Sequence, residues 1–171
     1  MISLWVFTGC SSLRVNVDYD PDYDLRTQKS FAIAHYNKEG EDTLFNDRLI
    51  RVLEADLQSK GYTNSTKDEA DLVVTFHTNV ENKTSIDTDY QMIGYARYGY
   101  GGGMVATTRT YNYQQGTLII DVLNPKDEKI VWRGIATDIL KEHKTPQERT
   151  EYIKKVVKEV MQNFPHRSAS R

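Results

Sequence analysis

Cys10 is the residue whose chemistry is clearest, because it is the only cysteine in a chain of 171 residues. A single thiol cannot form a disulfide within the chain, and it cannot build a thiolate metal site. Bulky apolar residues and then two small ones precede it in Val6-Phe7-Thr8-Gly9, and Ser11 follows. This order is typical of a cysteine that is acylated. The alternative is a structural cysteine that packs as a small apolar side chain at the start of the first strand.

The residues before Cys10 resemble only part of a secretory signal. Residues 1–9 are mostly apolar but contain no Lys or Arg, whereas a signal peptide has a positive N-terminal region and about 15 to 30 residues. We therefore expect residues 1–9 to be a truncated signal-peptide remnant, with the true start codon upstream or the leader clipped. Residues 10–12 would then be the lipobox cysteine and a short tether.

A second candidate is the tyrosine- and glycine-rich segment 90–113. Its centre alternates Tyr95, Tyr98 and Tyr100 with several glycines. Tyrosine offers contact area at low entropic cost and a hydroxyl that hydrogen-bonds, so these three residues are predicted to bind a partner protein, a glycan or peptidoglycan. The alternative is a floppy connection between two strands, of which 107–113 simply extend the second.

Asp121 and Arg133 lie within two predicted strands, each flanked by apolar residues. An unpaired charge in such a position is costly. If the two strands form a hairpin that places these residues opposite one another, they form a structural cross-strand ion pair. We assign them no catalytic role, because no further acid or base converges on them in the sequence.

Other chemistries lack their usual patterns. The four histidines are far apart, without the short spacings of a zinc site, and no G-x-S-x-G nucleophile motif occurs. No Lys-Ser/Thr follows the glycines to form a phosphate loop. With 22 basic and 24 acidic residues and no long basic run, nucleic acid is not an expected partner. We predict no catalytic residues, no metal and no cofactor.

Hydrophobic periodicity predicts one α+β domain over residues 13–165, followed by a disordered tail at 166–171. Period-two alternation indicates strands, and two stripes of helical period indicate amphipathic helices. The strands are predicted at 13–19, 30–36, 71–80, 117–123 and 129–138, and the helices at 43–60 and from Pro146 onward. The order β-β-α-β-β-β-α predicts a mixed, largely antiparallel sheet of about five strands with both helices on one face. The helix between the second and third strands makes those strands parallel if they share a sheet.

Several motifs together resemble those of a known family. They are the Gly116-Thr117-Leu118-Ile119-Ile120-Asp121 strand, the Asn124-Pro125-Lys126 turn, the Val131-Trp132-Arg133-Gly134 strand, and Phe164-Pro165 after the last helix. Lys60-Gly61-Tyr62 and Ala70-Asp71-Leu72 fit as well. The chain thereby resembles a family of bacterial lipoproteins, the domain of unknown function 4136, from Cys10 nearly to its end.

The resemblance implies a location and no reaction. Acylated as bacterial lipoproteins are, Cys10 would hold the protein in a membrane, and Ser11 is similar to residues that sort lipoproteins to the outer membrane. We therefore expect a non-enzymatic interaction or structural module, lipid-anchored at the periplasmic face of the outer membrane, with an envelope protein or peptidoglycan as partner. The alternative is a small-ligand-binding protein or hydrolase with a site under segment 90–113.

Overall fold

A computed structural model describes residues 12–35, 40, 42–93, 103–141 and 145–168. The elements follow in the order β1 (Arg14–Tyr19), β2 (Ser30–Ile33), α1 (Thr43–Ser59), β3 (Thr63–Asn64), β4 (Leu72–Ile93), β5 (Gly103–Asn124), β6 (Lys129–Ile139) and α2 (Pro146–Met161). The α+β class and the mixed sheet are as predicted. The sheet has six strands rather than about five, because the two residues of β3 add a short edge.

The strands lie in the order β1-β6-β5-β4-β2-β3. β2 pairs in parallel with β4 across α1, as the sequence predicted, and β2 is also parallel to β3. The remaining pairs, β4 with β5, β5 with β6 and β6 with β1, are antiparallel. The predicted hairpin around Pro125 is therefore present, and it joins β5 to β6.

Both helices contribute to a single core with the sheet. The apolar stripe of α1, with Leu49, Leu53 and Leu57, is fully buried. α2 buries Ile153, Val156, Val157, Val160 and Met161. Gly134 of β6 permits close packing here, because a Cβ at this position would collide with the side chains of Val160 and Trp132. The glycine of the Val-Trp-Arg-Gly motif is thus explained by the approach of α2 to β6.

α2 begins as predicted from the sequence. The Thr145 side chain accepts a hydrogen bond from the Glu148 backbone amide, and the Glu148 side chain accepts one from the amide of Thr145. Pro146 occupies the first helical position, where its missing N–H costs nothing. A complete capping box therefore fixes the start of the helix.

The central hairpin is much longer than predicted. β4 and β5 were expected to span residues 71–80 and 117–123, but they pair without interruption from Val73↔Leu123 to Ile93↔Gly103. The alternative of a floppy connection is thus wrong for 90–93 and 103–106, which lie in the two strands, whereas its extension of the second strand over 107–113 is confirmed. Residues 94–102 lie outside the described part of the chain.

The predicted tail also differs in its first residues. The Arg167 amide donates to the Lys60 carbonyl at 2.9 Å, and the Ser168 amide donates to the Arg26 carbonyl at 3.0 Å. The Tyr62 hydroxyl lies 3.1 Å from the carbonyl oxygens of Leu25 and Pro165. The chain is therefore attached to the domain as far as Ser168, beyond the predicted boundary at 165.

Candidate functional site

The candidate site is the outer part of the long hairpin, residues 80–93 and 103–116, which we call the β-arm. β6 pairs with β5 only as far as Gln115, and β2 pairs with β4 only over Leu72–Val74. Beyond these points, no other described strand lies beside the arm. At about 3.4 Å per residue the arm is roughly 45 Å long, and both of its edges have unpaired backbone groups.

The unbroken register of the arm separates its side chains into two faces. Because side chains alternate along a strand, even-numbered positions continue the face that buries Val74, Phe76 and Ile120 in the core. None of the side chains described on this face is charged. We call it the uncharged face, and it consists of Val80, Asn82, Thr84, Ile86, Thr88, Tyr90, Met104, Ala106, Thr108, Thr110, Asn112, Gln114 and Gly116.

Every charged residue described on the arm lies on the opposite face, which we call the charged face. These residues are Glu81, Lys83, Asp87, Asp89 and Arg109. Lys83 forms an ion pair with Glu81, and Asp87 lies opposite Arg109 in the register. A charged, solvated face requires no partner to cover it.

Apolar groups on the uncharged face are exposed to solvent. Val80, Ile86, Tyr90 and Met104 are 57%, 66%, 69% and 69% exposed. The polar side chains between them hydrogen-bond across the strands: Thr84 Oγ1 donates to Asn112 Oδ1 at 2.9 Å, and Gln114 Nε2 donates to Asn82 Oδ1 at 3.3 Å. A two-stranded ribbon is marginally stable alone. This face therefore has the character of a surface that a partner covers.

The sequence carried a signal for the arm. From Val80 to Tyr90 the charges fall only at 81, 83, 87 and 89, which is the period of a strand. Residues 107–113 are rich in Thr and Tyr, which favour strands. The glycines at 99 and 101–103 are typical of a loop, whereas the alternation that indicates strands lies on either side of them.

Asp121 and Arg133 form the cross-strand ion pair that the sequence predicted. They are register partners on β5 and β6, and Arg133 Nε and Nη2 donate to the two oxygens of Asp121 at 2.6 and 2.8 Å. Asp121 is buried, whereas the Arg133 side chain is 42% exposed. The hydrogen bond and charge of Asp121 raise the pKa of the Arg133 guanidinium, and Asp18 on β1 adds to this. The pair joins two strands, and neither residue lines the cavity described next.

A cavity of about 440 Å³ lies at the base of the arm, between α1, α2 and the sheet. Two of its polar lining residues, Tyr152 and Asp138, bond to each other. Tyr152 OH donates to Asp138 Oδ2 at 3.0 Å, and Ser12 Oγ donates to Asp138 Oδ1 at 2.5 Å. Burial and then the Asp138 charge raise the pKa of the Tyr152 hydroxyl. Among the described residues, this arrangement holds no activated nucleophile.

The alternative of a pocket under segment 90–113 depends on residues 94–102 at its centre, which lie outside the described part of the chain, so it stays a prediction. Of the arm, only Val80 and Gly116 at its base line the cavity, and the described remainder of 90–113 lies along the extended ribbon. Tyr95, Tyr98 and Tyr100 lie outside the described residues, as does Cys10. Among the residues described, no group of three or more His, Cys, Asp or Glu side chains could hold a metal ion.

Residues 15–166 match the family described as Domain of unknown function (DUF4136). The chain belongs to this family. The match runs from the second residue of β1 past the end of α2, and it includes the β-arm and the Asp121–Arg133 pair. None of the curated proteins matches the chain.

Two solved structures are compared with this chain by their similarity to it. A PDZ domain protein from Parabacteroides distasonis is 14% identical, with a TM-score of 0.59 over 94% of this chain, which spans 38% of that longer protein. The PelC dodecamer from Paraburkholderia phytofirmans is 13% identical with a TM-score of 0.46, and the match covers 92% of this chain and 99% of that one. At 14% identity, the match to the PDZ domain protein shows a similar fold and no more.

In the part of the chain that the structure describes, neither helix has the length and apolar character needed to cross a bilayer.

Proposed function

We propose that this protein is a lipid-anchored, non-enzymatic contact module of the bacterial cell envelope, and that its β-arm binds another envelope protein. The observation that carries the proposal is the uncharged face. It extends the core side of the sheet for roughly 45 Å, with apolar groups exposed and every described charge placed on the other side. Such a division favours burial of one face against a partner.

The chemistry of the arm favours a polypeptide as partner rather than peptidoglycan. Both edges of the arm present backbone N–H and C=O groups that no other described strand pairs. A strand from another protein can add to such an edge, with main-chain hydrogen bonds for affinity and alternate side chains for specificity. A glycan has no strand to add, so the edges would stay unpaired.

A contact role also agrees with the titratable groups described in the body of the domain. Tyr152 and Ser12 both donate to Asp138, and Asp121 pairs with Arg133 on the other face of the sheet. Catalysis requires a group held near a reacting atom with its proton available. These groups act instead as structural links between elements.

The proposed location rests on Cys10 and on the family resemblance to lipoproteins. An acylated Cys10 would be followed by Ser11 and Ser12 and then directly by β1, which begins at Arg14. With about 0.8 kcal/mol for each buried methylene, several acyl chains would hold the domain at the bilayer. The periplasmic face of the outer membrane is the location we propose.

Site-specific photocrosslinking in cells tests the contact role. Ile86 and Asp87 are adjacent but lie on opposite faces of the arm, so p-benzoylphenylalanine at each position is a matched pair. We expect a discrete protein adduct from position 86, and at most a weak one from position 87. Equal adducts from both faces, or none from either, would contradict the proposal.

Metabolic labelling tests the anchor independently. Labelled palmitate should enter the wild-type protein but not Cys10→Ala, and only the wild type should fractionate with the outer membrane. Label in both variants, or in neither, would reject Cys10 as the attachment site. This result would not bear on the contact role of the arm, which the photocrosslinking tests.

A further inference from the structure

The cavity at the base of the β-arm has an apolar lining that the contact role does not use. Its volume of about 440 Å³ falls in the range of small-ligand pockets. Apolar side chains come from both helices, from the sheet and from the segment after β6. They are Leu13, Phe45, Leu49, Val80, Leu118, Ala136, Leu140, Ile153 and Val156. No Lys or Arg is among the described residues that line this cavity.

A second hollow of about 620 Å³ adjoins the cavity and forms its mouth. The two spaces adjoin, because both are lined by Asp42, Phe45, Leu140, Tyr152 and Ile153. The lining of the mouth is different in charge. It adds three cations, Arg48 from α1, Lys141 after β6 and Arg149 from α2.

The two described carboxylates that line these spaces, Asp42 and Asp138, accept hydrogen bonds from other groups. Among the described residues, Asp42 is the one carboxylate that lines the mouth, and its side chain accepts the Phe45 amide at 3.0 Å as the cap of α1. Asp138, deeper inside, accepts hydrogen bonds from Ser12, from Tyr152 and from the Ile139 amide. The described mouth is therefore positively charged, and the space behind it is apolar.

We propose that this cavity binds a free long-chain fatty acid, with the hydrocarbon chain inside and the carboxylate beside Arg48 and Lys141. An apolar chamber alone would accept any neutral ligand of the right size. Cations at its entrance select an amphiphile with an anionic head, because a carboxylate gains charge-assisted hydrogen bonds there. A cationic or neutral head would gain none.

Calorimetric titration of the purified Cys10→Ala chain tests this inference, with sodium dodecanoate as the probe. We expect saturable binding of one molecule per chain. The affinity should rise about fourfold per added methylene from octanoate to decanoate, because each methylene is taken from water into the cavity. Dodecanol, with the same chain, should bind at least about tenfold more weakly, and dodecyltrimethylammonium should not compete.

Two sets of variants locate the site. Thr78 is exposed and lines the cavity, so Thr78→Trp should fill the chamber and abolish binding. Thr88→Trp is the matched control on the same face of β4, farther along the arm, and should bind as wild type does. Arg48→Glu with Lys141→Glu should weaken dodecanoate binding at least about tenfold but leave dodecanol unchanged. Arg51→Glu, on an exposed turn of α1, should change neither.

Equal affinity for dodecanoate and dodecanol, or wild-type affinity in the Arg48→Glu and Lys141→Glu double variant, would overturn the proposal. Unchanged binding in a folded Thr78→Trp variant would do so too, since the chamber would then not be the site. The titration requires no partner protein and no lipid anchor. Its result is therefore independent of the crosslinking that tests the contact role of the arm.

Discussion

At the scale of single residues, Asp121 shows how a charge is accommodated inside the sheet. Its carboxylate is buried, and Arg133 supplies two donors to it at 2.6 and 2.8 Å. The sequence could predict this pair. Each charge lies in an apolar strand and needs a partner, and the short turn places the two strands side by side. The separation of charges along the arm was not predicted, since it depends on the register that pairs the outer parts of β4 and β5.

Arg133→Met should destabilise the domain by about 1–3 kcal/mol, because the buried Asp121 carboxylate loses its donors. Much of the Arg133 side chain is in solvent, so we expect the lower part of this range. Urea unfolding followed by circular dichroism measures the effect. Arg14→Met, on the exposed edge strand β1, is the control and should stay within about 0.5 kcal/mol of wild type. Equal stability of the two variants would contradict a structural role for the pair.

Asp71 gives the domain a predictable dependence on pH. Its Oδ2 accepts hydrogen bonds from the Lys29 amide at 2.9 Å and from the Ser30 amide and hydroxyl at 3.0 Å. The Lys29 amide is the largest of the effects that hold the Asp71 pKa below its usual 3.8. The folded pKa is the lower one, so the unfolded chain binds the proton first. The stabilisation is thus complete above the unfolded pKa and is lost as the pH falls through the folded one.

Asp71→Asn should therefore be less stable than wild type at about pH 6, and the difference should shrink as the pH falls below about 3.8. Urea unfolding at a series of pH values measures this. Ser30→Ala removes one of the donors and should show part of the same trend. A difference between wild type and Asp71→Asn that stays constant with pH would show that this carboxylate contributes nothing by its charge.

At the scale of elements, the start of α2 was predictable and the length of β4 and β5 was not. The start of α2 is encoded within the short stretch from Thr145 to Glu148, so local chemistry decides it. The outer parts of β4 and β5 are stabilised only by each other among the described strands, from Lys83↔Tyr113 outward. The paired residues are far apart in sequence. The glycines between the two strands are more typical of a loop than of a tight hairpin turn.

Thr145→Ala should cost about 1 kcal/mol of stability, because the Glu148 amide loses its acceptor at the start of α2. Thermal unfolding measures the loss. Thr150→Ala, one turn into the same helix, is the control. Its hydroxyl donates to the Pro146 carbonyl inside the helix, and Ala has the higher helix propensity, so this change should be neutral or slightly stabilising. A loss at both positions would mean that the cap has no special role.

At the scale of the whole molecule, the chain divides into a packed body and an arm without a core. No residue between Asn82 and Gln114 is among the buried apolar residues described, which end at Phe76 on β4 and resume at Leu118 on β5. The cavity lies where body and arm meet, and elements distant in sequence line it. No local pattern could have predicted it, because it depends on how the two helices are spaced on the sheet.

The body should therefore fold without the arm. Glu81 and Gln115 are register partners, so replacing residues 82–114 with Asn-Gly closes the hairpin through a two-residue turn. We expect cooperative unfolding with a melting temperature within a few degrees of wild type, because about 1 kcal/mol shifts it by about 2–4 °C at this size. In cells this variant should stay at the membrane, because it keeps Cys10. Loss of cooperative unfolding would show instead that the arm supports the body.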